Sequence, residues 1–401
     1  MSQTKTKIII GATSLLAIVG IAAYRLSTSD ATPTAKAATA ASAGKTAPAV
    51  EITMLYGSEK KEWVDAAAES FRREHPEIKL TLVPKGSLEA AQGILDGRER
   101  PTIFSPADSL VMNMLASDWK TKGRPPLIAE SSGAEASTSL VMTPLVFVAW
   151  EDRAQALMSK GNGEIRWKAL HDATTSPKGW PAVGGKPEWG FVKLGHTDPT
   201  KSNSGLQALY LMGAEYTGKQ ALDVADLLDP KLQAFVKQTE KSVSSFEPST
   251  GTFMTEMLRF GPSKYDVSVV YENLAIAQLE SAQGRWGALR VHYPHATVWS
   301  DHPAAVLTAD WVTPEQRAAG HVWLAHLRSR SVQERALAYG FRPGDMNVPV
   351  RTSDPANPFV RAAAYGVRVD VPAAVKTPDG AVVRNLIVMW NRTCAPHTGM
   401  R

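Results

Sequence analysis

The chain has a single cysteine, Cys394, among its 401 residues. That excludes an intramolecular disulfide, a CxxC redox pair and a thiolate metal cage. Enzyme signatures are missing too. There is no GxSxG elbow, no GxxxxGK[ST] phosphate loop, no HExxH helix and no GxGxxG following a strand, so the chain reads as a non-enzyme. The net charge of +5 comes from lysines and arginines scattered among acids. Without a basic run interleaved with aromatics, nucleic acid is not expected as a partner.

What is present is organised in blocks. Lys5 and Lys7 precede an apolar run, Ile8 to Ala23, which reads as a signal peptide or a short membrane anchor (residues 1–26). The small-x-small triplet Ala35-Lys36-Ala37 lies late for cleavage, which favours the anchor. Positive charge before the run places the remainder of the chain outside the cytoplasm. Residues 27–50, rich in Ala, Thr, Ser and Pro, read as a disordered linker.

From Glu51 onward, strand and helix patterns alternate. Ile52 to Tyr56, Ile78 to Val83 and Thr102 to Phe104 are strands separated by helices, the mark of a parallel sheet with right-handed crossovers. Thr143 to Trp150 is a long apolar strand. A second series follows: a strand at Phe191–Leu194, a helix from Ser204, a helix from Pro230 capped by Asp229, a helix from Thr250, a strand at Tyr265–Tyr271 and a helix from Glu272. Pro314 to Tyr339 reads as one long helix stopped by Gly340, and Val382 to Trp390 as a last helix. The expected fold is α/β with two lobes, each a mainly parallel sheet flanked by helices. Its division is lobe 1 over 51–145, lobe 2 over 146–298, and a return to lobe 1 with C-terminal helices over 299–401. Two connections, near 143–150 and 295–306, form a hinge beside a ligand cleft.

In parallel sheets ligands bind beyond the carboxyl ends of the strands. Those ends carry Gly57-Ser58, Gly86-Ser87, Ser105, Ser202-Asn203-Ser204, Ser249-Thr250-Gly251 and Tyr271-Glu272-Asn273. Most pair a small residue with a hydroxyl at a helix start, where free amides suit an anion or another acceptor-rich ligand. Taken singly, each is also an ordinary N-cap worth about 1 kcal/mol. Ser202 or Ser204 is expected to cap its helix.

The order of these motifs resembles type II periplasmic solute-binding proteins, and more narrowly their molybdate/sulfate/iron-binding branch, over about Glu51 to Arg342. Thr197-Asp198-Pro199 through Gly205 and Val332 through Pro343 carry the resemblance best. It implies the two-lobed fold, closure around a small polar or anionic solute, delivery to an ABC permease, and cleft positions at Ser58, Ser87, Ser204 and Tyr271. A tyrosine cluster of the iron-binding kind is missing. A sensor or protein-interaction module on the same fold is the alternative.

Two further groups stand out. His292, His295, Asp301 and His302 have ligand-type side chains, but their spacing fits no compact metal motif, so neither metal nor cofactor is expected. Trp180 and Trp189 flank a Gly/Pro-rich loop and read as packing residues.

Overall fold

The computed structural model describes residues 49–129, 136–371 and 373–394. The expected anchor or signal and the linker lie outside the described residues. Among the described residues, no helix is long and apolar enough to cross a membrane.

The first sheet contains β1 (Val50–Gly57), β2 (Ile78–Lys85), β3 (Ile103–Ser105), β4 (Thr138–Ser139) and a late strand, β10 (Pro303–Val306), in the order β2-β1-β3-β10-β4. β1 is parallel to β2 and β3, whereas β10 runs antiparallel to β3 and β4. The crossovers are α1 (Lys61–Glu74) and α2 (Ser87–Leu95), and α3 (Ser109–Thr121) follows β3. Apolar residues at helical spacing decide which face of α1 is buried: Trp63, Val64, Ala67, Ala68 and Phe71 are all covered.

The second sheet is organised around β5 (Val141–Trp150), whose apolar run is buried almost throughout. It pairs antiparallel with β7 (Val267–Tyr271), β8 (Leu289–His292), β9 (Trp299–Ser300) and β11 (Arg342–Pro343), and β6 (Leu194–Gly195) lies parallel to β7. Around it lie α4 (Glu151–Met158), α5 (Trp167–Thr175), α6 (Asn203–Thr217), α7 (Val224–Leu227), α8 (Pro230–Glu240), α9 (Thr250–Phe260) and α10 (Glu272–Gln278). Asp229 caps α8 through the Lys231 amide with Pro230 in the first turn, as its sequence implies.

The chain passes between the sheets at Leu140, at Asp301–His302 and at Phe341. The first crossing lies just upstream of the expected Thr143–Trp150, because that run is claimed whole by the second sheet. The crossings bond to one another: the Leu140 amide donates to the His302 carbonyl at 3.1 Å, and the Gly344 amide donates to the Leu140 carbonyl at 3.2 Å. His302 has φ +42°, a left-handed conformation that is unusual for a residue with a side chain.

Several expectations need correction. The second sheet is mainly antiparallel and not mainly parallel as expected, because the long β5 pairs antiparallel with β7, β8, β9 and β11 and, among the described residues, only β6 runs parallel to its neighbour. The pattern over 314–339 is not one helix but α11 (Pro314–Leu327) and α12 (Arg330–Ala338), separated where Ser329 turns extended. The break lets Gln333 reach the Leu140 and Leu327 carbonyls. The strand expected at Phe191–Leu194 is reduced to Leu194–Gly195, since Lys193 instead bonds the buried Asp266. The chain ends with α13 (Pro358–Arg361) beside α10 and α14 (Gly380–Thr393) against α6, α7 and α8, so from β11 onward it packs chiefly on the second lobe and does not stay with the first, as the division at 299–401 had it.

Trp323 in α11 is fully buried, packs edge-on against Phe71 at 4.8 Å and points its indole N–H at the Met54 sulfur. Trp323→Ala is expected to cost about 3–5 kcal/mol of unfolding free energy in denaturant titrations.

Candidate functional site

Between the sheets lies a cavity of about 420 Å³ whose wall is shared by both. Ser58, Glu59, Trp63, Pro84, Tyr339 and Phe341 come from elements packed on the first sheet. Ser249, Gly251, Thr252, Met254, Asn273 and Leu274 come from the second. Most of this wall is apolar, and the rest is hydroxyl, amide and carboxylate, with Lys61 and Glu62 also on it and Lys61 paired to Asp65.

Behind the cavity runs a chain of buried polar groups. Glu59 and Lys60 follow β1 in a turn of 3₁₀ helix, and both side chains are buried. The Lys60 ammonium donates to Glu59 Oε1 at 3.1 Å and the Pro106 carbonyl at 3.1 Å, and lies 3.2 Å from His302 Nδ1. The Asn273 amide donates to the Glu59 carbonyl at 3.2 Å. Tyr271 packs edge-on to the His302 ring and its hydroxyl accepts from Asn203 Nδ2 at 3.0 Å. Asn203 also reaches Ser300, and Gln207 bridges Ser300 and Asp108, donating to each at 2.9 Å. Six polar atoms in this region have no partner: Tyr56 OH, Ser105 Oγ, Asn203 Oδ1, Gln207 Oε1, Asn273 Oδ1 and His302 Nε2. Buried polar groups are normally paired, so this concentration is unusual for the interior of a protein.

Electrostatics separates the roles. Burial alone would raise the Glu59 carboxyl, yet the Lys60 ammonium and the His302 contact pull it down to about 2, so it is an anion. Burial, aided by Lys60, lowers His302 to about 4, so its ring is neutral at pH 7. Burial and the neighbouring Asp301 carboxylate push Asp108 up to about 7. The Glu59 anion is thus the partner of the Lys60 ammonium, with Asp301 also acting on it, while Asp108 is partly protonated near neutrality.

The expected residues separate into three groups. Ser202, Ser204, Thr250 and Thr197 form a buried knot of hydroxyls, with Ser204 Oγ 2.6 Å from Thr250 Oγ1 and 2.8 Å from Thr197 Oγ1, and Ser202 Oγ 3.2 Å from Thr250 Oγ1. Ser202 occupies the N-cap of α6, but its hydroxyl joins this knot and makes no cap bond, contrary to expectation. A second group closes the lobes on each other. The first amides of α2, from Leu88 and Glu89, donate to the Lys201 carbonyl at 3.0 and 3.1 Å. A Cβ on Gly86 would stand 2.6 Å from the Lys201 and Pro248 carbonyl oxygens. The Ser58 hydroxyl accepts from the Gly251 amide across the lobes, whereas Gly57 turns under Glu59 and Ser87 Oγ accepts from Ala107 N within the first lobe. The third group lines the cavity or its polar rear: Ser249, Ser105, Asn203 and Tyr271. Glu272 turns away into an ion pair with Arg342, at 2.8 and 2.9 Å, and accepts from Tyr293 OH.

Glu59, Lys60, Asp108 and Gln207 carry no signal in the sequence, while Asn273 stands at an expected strand end and His302 among the ligand-type residues without its place in the polar chain being legible. Ser58-Glu59-Lys60-Lys61-Glu62 looks like a solvated charge run, and only the fold buries its two middle members. His292, His295, Asp301 and His302 do not converge: His295 is exposed beside Glu164, and Asp301 accepts from the Ser109 amide. Among the described residues no group of three or more such ligands could hold a metal. Trp180 and Trp189 pack edge-to-face, as expected.

A family model, that of the bacterial extracellular solute-binding proteins, matches residues 52–342. The chain belongs to this family. No curated protein matches it in sequence. Solved structures share its fold at low identity. The sulfate-binding protein SubI from Mycobacterium tuberculosis H37Rv is 18% identical over 85% of this chain and 97% of its own, with a TM-score of 0.53. A periplasmic thiamin binding protein is 13% identical over 86% and 96%, with a TM-score of 0.60. Iron-bound HitA from Pseudomonas aeruginosa is 14% identical over 86% and 99%, with a TM-score of 0.55. The two-lobed α/β fold and the type II resemblance therefore stand.

Two outcomes follow from the buried charges. Glu59→Gln leaves the Lys60 ammonium buried without its anion and is expected to cost about 3–5 kcal/mol, much of it recovered in Glu59→Gln/Lys60→Met, as chemical denaturation would read. Asp108 is an acid whose folded pKa exceeds its unfolded one, so the native state loses stability as pH rises from 3.8 toward 7. Asp108→Asn removes that loss, so its stability relative to wild type should rise between pH 5 and pH 8.

Proposed function

We propose that this protein is an extracytoplasmic solute-binding protein that takes a small organic solute, neutral or positively charged, into the cavity between its lobes. The observation that carries this reading is the shared cavity of about 420 Å³, backed by six unpaired buried polar atoms. Its size falls in the range of about 300–1,000 Å³ usual for small-molecule sites, and its mainly apolar wall suits a carbon skeleton. Trp63, Met254, Leu274, Tyr339 and Phe341 offer that skeleton a surface, while Ser58, Ser249, Thr252 and Asn273 offer hydrogen bonds.

An inorganic oxyanion fits less well. The helix start that would serve it best, at Gly86-Ser87, is filled by the Lys201 carbonyl. The buried ammonium of Lys60 is already matched by the Glu59 anion, with Asp301 close by, which leaves no uncompensated positive charge in the polar rear for an oxyanion. The family and the positively flanked apolar run at Ile8–Ala23 support a location outside the cytoplasm and delivery to an ABC permease, with the N-terminal segment as signal or tether. Binding is the whole activity in this reading, and catalysis is not part of it.

The test is thermal unfolding of the full chain against sugars, amino acids, polyamines and vitamins, with sulfate, molybdate and phosphate alongside. A ligand at about a hundredfold its Kd adds roughly 2.7 kcal/mol and shifts the midpoint by several degrees. A shift with one organic solute, abolished in Asn273→Leu, is the expected result. A selective shift with an oxyanion would overturn the charge argument, and no shift at all would favour the interaction module.

A further inference from the structure

Helix α14 lies beyond residue 342, where the family match ends. Its apolar face, Val382, Val383, Leu386, Met389 and Trp390, is buried, chiefly against α6, α7 and α8 of the second lobe. The Trp390 indole N–H donates to Glu240 Oε2 at 2.7 Å, and Glu240 in turn contacts the buried His196 at 2.8 Å. These contacts fasten the helix to one lobe.

Its opposite edge touches the other lobe. Gly380 lies beside Met114 of α3, where a Cβ would make ordinary contact with the Met114 Cγ at 3.7 Å. Arg384 pairs with Asp118 of α3 at 2.6 Å. α3 is packed on α2 and so moves with the first lobe. Pro378, Val383 and Leu386 also line a residual space of about 10 Å³ with Leu110, Asp108 and Gln207. Asp108 and Gln207 belong to the polar chain behind the solute cavity, so this C-terminal segment covers the end of that chain opposite Asn273.

We propose that α14 is a cross-lobe tie: it closes the rear of the cleft and sets how far the two lobes separate, through the seam of Gly380, Val383, Arg384 and Leu386 with Leu110, Met114 and Asp118. Opening the lobes must part this seam or carry α14 away from α6. Either route costs buried apolar contact, which makes the closed arrangement the resting one. The reading does not depend on which solute is bound.

Hydrogen exchange on the full chain tests it without a ligand. The Leu88 and Glu89 amides donate across the cleft to Lys201, so their exchange reports lobe separation. Met114→Glu places a carboxylate in the seam while leaving the packing of α14 on α6 to α8 intact. It should speed exchange at Leu88 and Glu89 by about tenfold, with Val269 in the second sheet and Leu386 in α14 unchanged. A charge swap gives a milder second variant. Asp118→Arg should speed the same amides about threefold, and Asp118→Arg/Arg384→Asp should return them to the native rate. Native rates at Leu88 and Glu89 in both single variants, with α14 still protected, would overturn the proposal. If Met114→Glu exposes Val269 as well, the charge swap decides alone, and failure of the double variant to restore the rate counts against the tie.

Discussion

Lys60 carries an ammonium with no exposed surface, and its partners come from three separate stretches of chain: Glu59 beside it, the Pro106 carbonyl after β3, and His302 at a crossing between the sheets. A charge out of water is tolerated only when it is paired and hydrogen-bonded. That demand fixes the turn after β1, the end of β3 and the crossing strand relative to one another. Asn273 then binds the Glu59 carbonyl from the second lobe, so the same small set of bonds also holds the lobes together.

His302 links hinge and site. Its backbone takes the left-handed conformation where the chain returns to the first sheet, and its ring faces Lys60 and Tyr271. Any rotation about the crossings therefore moves a member of the polar chain. Around it, backbone makes the closest contacts. Glycine at 86 lets the start of α2 meet the Lys201 carbonyl, and glycine at 251 lets the Ser58 hydroxyl approach α9. This direct contact fills the helix start where a solute had been expected and leaves open space beside α9 and α10 instead.

The solved relatives share the architecture at identities too low to carry ligand chemistry with it, so the identity of the solute rests on this chain's own wall. That wall is an apolar surface from Trp63 to Phe341, hydroxyls from α9, and an ionised Glu59 behind them. The C-terminal helix adds a further boundary from outside the stretch that the family shares.

The sequence by itself determined the alternation of strands and helices, the parallel pairing of β1 with β2 and β3, the Asp229–Pro230 start of α8 and the long apolar β5. Each of these follows from periodicity or from a cap written in neighbouring residues. The family was legible for the same reason, because its motifs are short and local. Tertiary structure alone decided that Ser329 breaks the helical pattern of 314–339, that the Ser202 hydroxyl joins a knot instead of capping α6, and that Glu272 belongs to Arg342. It also decided that Lys60 and Glu59, in a stretch that reads as solvated charge, are buried in the centre of the molecule. Their partners lie tens to hundreds of residues away, and burial is set by what packs over a residue, which no local pattern encodes.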